Sequence, residues 1–411
     1  MGVALGVEGA FFPLDEELGL AHVALTPWAH RSLLLLSAWM PFAVAAHQLE
    51  LLSGISISRE SARRVSEEGG ANLESWQNEQ AKPEQRANTD EVPARLVMAT
   101  DGAMVPLLKG EWGEVKTVAV GKLKERKKGQ GAQCSDISYF SRLADSQTFG
   151  DLASYEIRRR GVDRCLHVAA VQDGADWIQG FIQGHRQDAL RILDFPHAAQ
   201  YVSELGHLAS EAGTLLPKDW LENILHELKE EGASSVLCKL QALCGSQASS
   251  LMREKLAYLS KRETLMHYPE YQAAGWPIGS GMVESANKLV VEARLKGSGM
   301  HWHRRNVNPM LALRTTVCSD RWKEGWKVVQ TGEHQRRNER KRMRREASFA
   351  RAQDRFLHIL FSFPLHLLLD FFSSPPLSPK VKPKGRTESQ KRWGRQTFSR
   401  RVLQEGSSAK K

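Results

Sequence analysis

Residues 95–120 read RLVMATDGAMVPLLKGEWGEVKTVAV. Leu96–Met98 and Val105–Leu108 are short apolar runs on either side of Asp101-Gly102, and Val115–Val120 is a third. Val-rich runs of this length bounded by Gly predict β-strands. With Ile137–Phe140 they predict an antiparallel meander, the basic stretch Lys122–Lys128 lying in the turn before its last strand. Cys165–Val171 (CLHVAAV) is continuously apolar, the pattern of a strand covered on both faces, and Asp173 stands just past its end. Phe149–Arg160 has helical spacing; a helix over Ala175–Gln183 and a strand over Leu190–Leu193 follow, ending at Asp194-Phe195-Pro196-His197. The order strand, strand, strand, helix, strand, helix, strand predicts an α/β fold around a mixed five-stranded sheet, the first part of its core at 95–197.

Beyond this core Ala198–Tyr268 is wholly helical in pattern, which predicts an α-helical insertion at 198–274. The chain then returns to the core at 275–318: Trp276–Gly281 reads as a loop, and Met282–Lys296 as a helix with Glu284 in its first turn. Residues 1–67 are expected to be a helical domain. Phe42–Leu52 and a second helix capped by Ser58 flank the turn Ser53-Gly54-Ile55. That arrangement is either a helix-turn-helix offering Arg59, Arg63 and Arg64 to DNA or a plain helical hairpin. Residues 68–94, rich in Glu, Gln, Asn and Gly, read as a linker, and 319–411 as a basic, largely disordered tail. Trp112 and Trp177 are expected in the core.

Charge is unevenly spread. Lys and Arg number 57 against 47 Asp and Glu, and residues 320–411 alone carry 23 basic and 9 acidic side chains. The attraction for a polyanion therefore belongs to the tail, while the body is slightly acidic. The five cysteines form no C-x-x-C pair and are odd in number, so no zinc site or disulfide framework is indicated, and a reducing cytoplasm fits best. Leu33–Ala46 is too short to span a bilayer and contains Pro41, and Phe356–Phe372 is broken by polar residues, so no membrane association is expected.

Asp101, Asp173 and Glu284 fall where this strand order brings them together. Taken singly each has a structural explanation, because Asp-Gly is a turn signal and a first-turn Glu favours the helix dipole. Four blocks carry more: MATDGAMVPLLKGEWGEVKTVAVG around Asp101, AAVQDGADWIQGFI around Asp173, RILDFPHAAQYV around Asp194, and WPIGSGMVESANKLVVEARLKGSGMHWHRRNVNPMLALR around Glu284. In this order they resemble the ISKra-type bacterial insertion-sequence transposases, relatives of the Mutator-like group. The resemblance implies an RNase H-like fold interrupted by a helical insertion, and it transfers the catalytic triad to Asp101, Asp173 and Glu284.

Three carboxylates suit two Mg²⁺ ions, with Mn²⁺ a possible substitute, because hard cations prefer oxygen ligands. Asp101 is expected to bridge the ions, with Asp173 and Glu284 completing one sphere each and Asp194 as the fallback ligand. The D-x-x-H of Asp194 and His197, also shown by the related transposases, either brings His197 to the scissile phosphate or caps a helix. Gly279 and Ser280 lead into the Glu284 helix in a way that suits a DNA phosphate, and Asn287 lies one turn after Glu284. Arg294, Lys296, Arg304 and Arg305, with Trp302 among them, are candidates for backbone contact and base stacking. The paired His301 and His303 are expected at the surface. The implied partners are double-stranded DNA, as terminal inverted repeats and target, and further copies of the chain, in the cytoplasm at the nucleoid. The rival readings are a DNA-binding protein without catalysis and an RNase H-like nuclease.

Overall fold

A single strand, β1 (Arg95–Pro106), runs through Asp101-Gly102 without a break in the computed structural model, which describes residues 25–84, 93–124, 132–245 and 248–362. The two runs read from the sequence are therefore one element. Its whole length pairs antiparallel with β2 (Trp112–Leu123), from Leu96 opposite Lys122 to Pro106 opposite Trp112, and this ladder holds the Asp-Gly pair extended. β2 pairs antiparallel with β3 (Cys134–Leu143). On its other edge β1 pairs parallel with β4 (His167–Gln172), and β4 pairs parallel with β5 (Leu190–Leu193). The sheet order β3-β2-β1-β4-β5 is the mixed five-stranded sheet of the α/β reading.

Alternation along β1 sorts its side chains between two cores. Leu96 and Met98 face α4 (Ser146–Arg159) and α5 (Asp176–His185), in a cluster with Phe140, Phe149, Ala153, Ile178 and Ile182. Val97 and Ala99 point the other way. Val97 joins Val171, Ile192 and the insertion helices, and Ala99 joins Ala119, Val283 and Ala286. Asp101, two residues on from Ala99, belongs to that second face, the one covered by the Glu284 helix.

The insertion is built of five α-helices among the described residues: α6 (Phe195–Glu211), α7 (Trp220–Glu230), α8 (Ala233–Cys244), α9 (Ser250–Ser260) and α10 (Tyr268–Ala273). Its core is built from Val202, Leu205, Ile224, Leu228, Val236, Leu240, Met252 and Leu259. Then α11 (Gly281–Ala286) passes into a π-helical segment, Asn287–Glu292, and a last turn, α12 (Ala293–Leu295). α13 (Arg304–Cys318) buries Val307 and Pro309–Thr316 between β3 and the N-terminal helices.

Among the described residues three helices, not two, precede the sheet. Thr26 caps α1 (Pro27–Trp39), Pro41 separates it from α2 (Phe42–Ser53), and Gly54 ends α2 in the left-handed conformation. Ser58 caps α3 (Arg59–Gln80), which continues to Gln80 through the first half of the stretch expected to be a linker. Composition misled there because the buried side of α3 uses small residues for close crossings. A Cβ on Gly69 would lie 2.4 Å from Leu34 Cδ2, and one on Gly70 would lie 2.3 Å from the Pro309 carbonyl oxygen. Leu73 and Gln77 continue that buried side, and Gln77 Oε1 accepts from the buried Arg142 at 2.7 Å.

The tail expectation is also corrected in part. Trp322–Ser362 is one helix, α14, anchored at its start by Val329 and Gly325; residues 363–411 lie outside the described residues. The chain divides into two compact units, 1–338 and 339–411, and the second holds the distal part of α14. Trp112, expected in the core, is 58 % exposed at the start of β2, while Trp177 is half-buried edge-on to Phe149. No described helix is long and apolar enough to cross a membrane.

Candidate active site

Three aspartates share one level across the sheet. Ala99 pairs with Val171 and Gln172 with Leu193, so counting on along the strands puts Asp101, in the middle of β1, level with Asp173 and Asp194, which stand just past the carboxyl ends of β4 and β5. The Asp194 N–H still donates to the Gln172 carbonyl at 2.8 Å, which continues the β4–β5 register to this level. Ligand chemistry in α/β sheets concentrates at this end of the strands, where loops and helix starts converge.

Asp101 is half-buried, its Oδ1 accepting from the Gly102 N–H at 2.7 Å and its Oδ2 from Asn287 Nδ2 at 2.9 Å. Burial pushes its pKa up, and the charges of Asp173 and Glu284 push the same way against the relief of those two hydrogen bonds. The Asp101 carboxylate therefore feels the other two, although among the described residues no group of three or more His, Cys, Asp or Glu closes around a metal position. Asn287 is itself buried, and its Oδ1 has no partner. An uncompensated carboxylate beside an orphaned buried amide oxygen is a donor set that fits a hard cation.

Asp173 ends β4 in a turn: its Oδ1 accepts from the Ala175 N–H at 2.8 Å, and Gly174 takes φ +87°. The insertion grips this turn from outside. Tyr258 donates its hydroxyl to the Asp173 carbonyl, and Arg262 donates to the Gly174 carbonyl from Nε at 3.1 Å and Nη2 at 2.6 Å. The Arg262 guanidinium lies 3.7 Å from the Tyr258 ring centroid, and that ring stacks on Tyr201 at 4.0 Å. Sequence reasoning missed Tyr258 and Arg262, which carry no local signal because their targets are more than eighty residues away.

Glu284 is exposed on α11, and its Oε1 accepts from Ser280 Oγ at 3.1 Å. The π-helical segment that follows frees carbonyls from the usual ladder, and Arg314 takes them: its guanidinium donates to the Leu289 and Val290 oxygens and, at 2.7 Å, to that of Ala38. Arg314 is buried and fixes the register of the helix that carries Glu284 and Asn287.

Asp194 takes the structural alternative. Its Oδ1 accepts from the Ser280 N–H at 2.6 Å and its Oδ2 from the His197 N–H at 3.1 Å, capping α6, so both oxygens are in use. Burial raises its pKa against those bonds, and Glu284 adds to the rise. The fallback ligand is thus a tie between the insertion and the Glu284 loop. His197 packs its ring against Tyr201 and Tyr258, at 5.3 and 6.0 Å between centroids.

The family model described as Uncharacterised protein family (UPF0236) matches residues 11–335. This chain belongs to that family. No curated protein matches it. The UPF0236 match takes in the sheet, the insertion and the Glu284 helix together.

The candidate DNA-contacting residues of this UPF0236 chain divide by position. Arg59, Arg64, Arg304 and Arg305 are exposed, Arg304 lying 3.8 Å from Glu111. Arg63 is held between Glu60 and Glu67, and Lys296 pairs with Glu292 at 2.8 Å. Gly279 is half-buried, and Ser280 is buried with both its N–H and hydroxyl in use, so a phosphate cannot reach its donors. Arg294 is likewise corrected: it is buried, lies over the Phe42 and Trp302 rings and donates to the Ser37 carbonyl at 2.8 Å. Trp302 is buried too, its Nε1 donating to the Leu295 carbonyl, so it offers no face to a base. His301 and His303 are exposed as expected.

Proposed function

We propose that this chain is a metal-dependent DNA transposase of the DDE type, its mixed sheet RNase H-like and its carboxylates Asp101, Asp173 and Glu284. The observation that carries the reading is electrostatic: Asp101 is half-buried at the level of Asp173, its pKa pushed up by burial first and then by the charges of Asp173 and Glu284, and among the described residues no ion pair offsets it. Negative charge concentrated at the end of a sheet without a counter-charge asks for a divalent cation. Asp101, acted on by the other two, would be the shared ligand, and Glu284, exposed on α11, would complete the set.

Two Mg²⁺ ions, or Mn²⁺ in their place, would activate the attacking oxygen and stabilise the leaving one. The chain's own residues position them: Asn287 orients the Asp101 carboxylate, and Tyr258 with Arg262 sets the Asp173 turn. In the proposed reaction, water first opens a phosphodiester at the element end, leaving a 3′-hydroxyl. That hydroxyl then attacks a target phosphodiester and expels a second 3′-oxygen, so the number of phosphodiester bonds is conserved in the joining step. The substrates are terminal inverted repeats and target DNA, brought together by an oligomer of the chain at the nucleoid. The exposed Arg59, Arg64, Arg304 and Arg305 supply backbone contacts.

The test uses the purified chain and linear DNA carrying the sequences that flank its reading frame. Mg²⁺-dependent nicked and joined products are expected, and Asp101→Ala should lower both by more than about a hundredfold while DNA binding persists. Normal joining by Asp101→Ala, or binding without any cleavage in Mg²⁺ or Mn²⁺, overturns the proposal. Cleavage without joining replaces it with a nuclease.

A further inference from the structure

The distal part of α14 sorts its charges by side. Arg340, Arg344, Arg351 and Arg355 are spaced four, seven and four residues apart. At 3.6 residues per turn each step returns to the same side of the helix, so the four guanidinium groups form one stripe about 22 Å long. Lys341 and Arg345 each follow a stripe residue and flank it. Glu339 and Glu346 fall on the opposite side, where Glu346 pairs with Arg342 at 3.4 Å. Asp354 is the one acidic residue bordering the stripe. Residues 342–355 are all exposed.

Such a surface is costly to the bare helix. Like charges four residues apart, as in Arg340/Arg344 and Arg351/Arg355, oppose helix formation, and among the described residues this stretch buries no apolar side in return. An anionic partner laid along the stripe reverses that penalty. Its chemistry is narrowed by what the helix lacks. A membrane-surface helix needs a broad apolar side, whereas here the exposed Met343 and Phe349 stand six residues apart on different sides. An α-helix enters the major groove of B-form DNA, but the deep, narrow groove of A-form RNA excludes it.

We propose that the Arg340–Arg355 stripe binds the backbone of double-stranded DNA without reading its sequence, as an element separate from the carboxylate site. The choice of DNA rests on the transposase reading; the stripe itself does not. It lies beyond residues 11–335, the part matched by the family.

The test is a salt titration of binding by the full chain to 30-bp duplexes, one carrying the flanking repeats and one of unrelated sequence. Replacing all four stripe arginines by Ala keeps helix propensity high. It should flatten the slope of log K against log salt by up to about 3.6, four contacts at about 0.9 per phosphate, and equally for both duplexes. The four-Lys variant should keep the wild-type slope. An unchanged slope in the Ala variant, a loss confined to the repeat duplex, or an equal loss in the Lys variant overturns the proposal, as does tighter binding to duplex RNA or to phosphatidylserine vesicles. Asp101→Ala should leave the slope alone. A chain that never cleaves yet shows the stripe-dependent slope refutes only the transposase reading, and one that cleaves with no slope change refutes only the stripe.

Discussion

The chain contains two Asp-Gly pairs at the same level of one sheet, and they behave oppositely. Asp101-Gly102 lies within a strand paired on both sides of it, Asp101 opposite Thr117 and Gly102 opposite Lys116. Asp173-Gly174 lies one residue past a six-residue strand, and the chain turns there with Gly174 at φ +87°. The local signal is the same in both; the ladder decides the outcome. β2 stays alongside β1 for its whole length and supplies partners beyond the aspartate, whereas β4 has its last partner at Gln172. One carboxylate is thus placed by the sheet itself and the other by a turn that needs outside support from the insertion.

That contrast is broken most severely by adding a methyl group to each glycine, after the loss of activity expected for Asp101→Ala. At Gly174 an Ala Cβ would lie 2.3 Å from Arg262 Nε and 2.8 Å from the Tyr258 hydroxyl, on a backbone conformation that alanine disfavours. We expect Gly174→Ala to cost about 2–3 kcal/mol in urea unfolding, from backbone strain and the displaced arginine together. At Gly102 the Cβ meets only the carboxylate end of the Glu114 side chain, at 2.5 Å, so Gly102→Ala should stay within about 1 kcal/mol of wild type. Equal costs at the two positions would show that the insertion does not brace the Asp173 turn.

Tyr258→Phe removes one hydroxyl and leaves the Asp173 carbonyl without that donor. A loss of about 1 kcal/mol is expected, and the Mn²⁺ concentration needed to raise the melting temperature should increase, because the carboxylate it supports is less well placed. Unchanged Mn²⁺ dependence would confine Tyr258 to a packing role.

The sheet was legible because its signals are local. Cys165–Val171 and Leu190–Leu193 are apolar in the way buried strands must be, and the insertion has one period throughout. Its carboxylates were legible as an Asp-Gly between two apolar runs, an aspartate just past a buried strand, and a first-turn glutamate on a helix. What escaped were features made by contact across the chain. Gly69 and Gly70 look like linker residues until Leu34 and Pro309 are seen against them. Arg294 and Trp302 look like a basic, aromatic DNA surface, yet they stack inside against Phe42. The π-helical segment has no sequence period of its own and exists beside the buried guanidinium of Arg314. A charged residue reads as exposed in a sequence, and only packing reveals that its charge is spent on carbonyl oxygens.

The least disruptive test acts on Asp101 itself. Burial with Asp173 and Glu284 raises its pKa, so the folded state holds its proton more tightly than the unfolded chain does. Stability from this group is therefore greatest at low pH and falls as pH rises from the unfolded carboxyl value, about 3.9, through the raised folded one. Asp101→Asn cannot ionise. Its stability relative to wild type should grow across that window and then level off in favour of the variant at neutral pH. The Gly102 N–H can still donate to the amide oxygen, so the difference reports charge more than geometry. Saturating Mg²⁺ should stabilise wild type and leave the variant unmoved, closing or reversing the gap. If the difference between the two proteins is flat from pH 3 to 7 and indifferent to Mg²⁺, Asp101 carries no uncompensated charge, and the sheet-placed carboxylate is an ordinary polar residue at a strand pair.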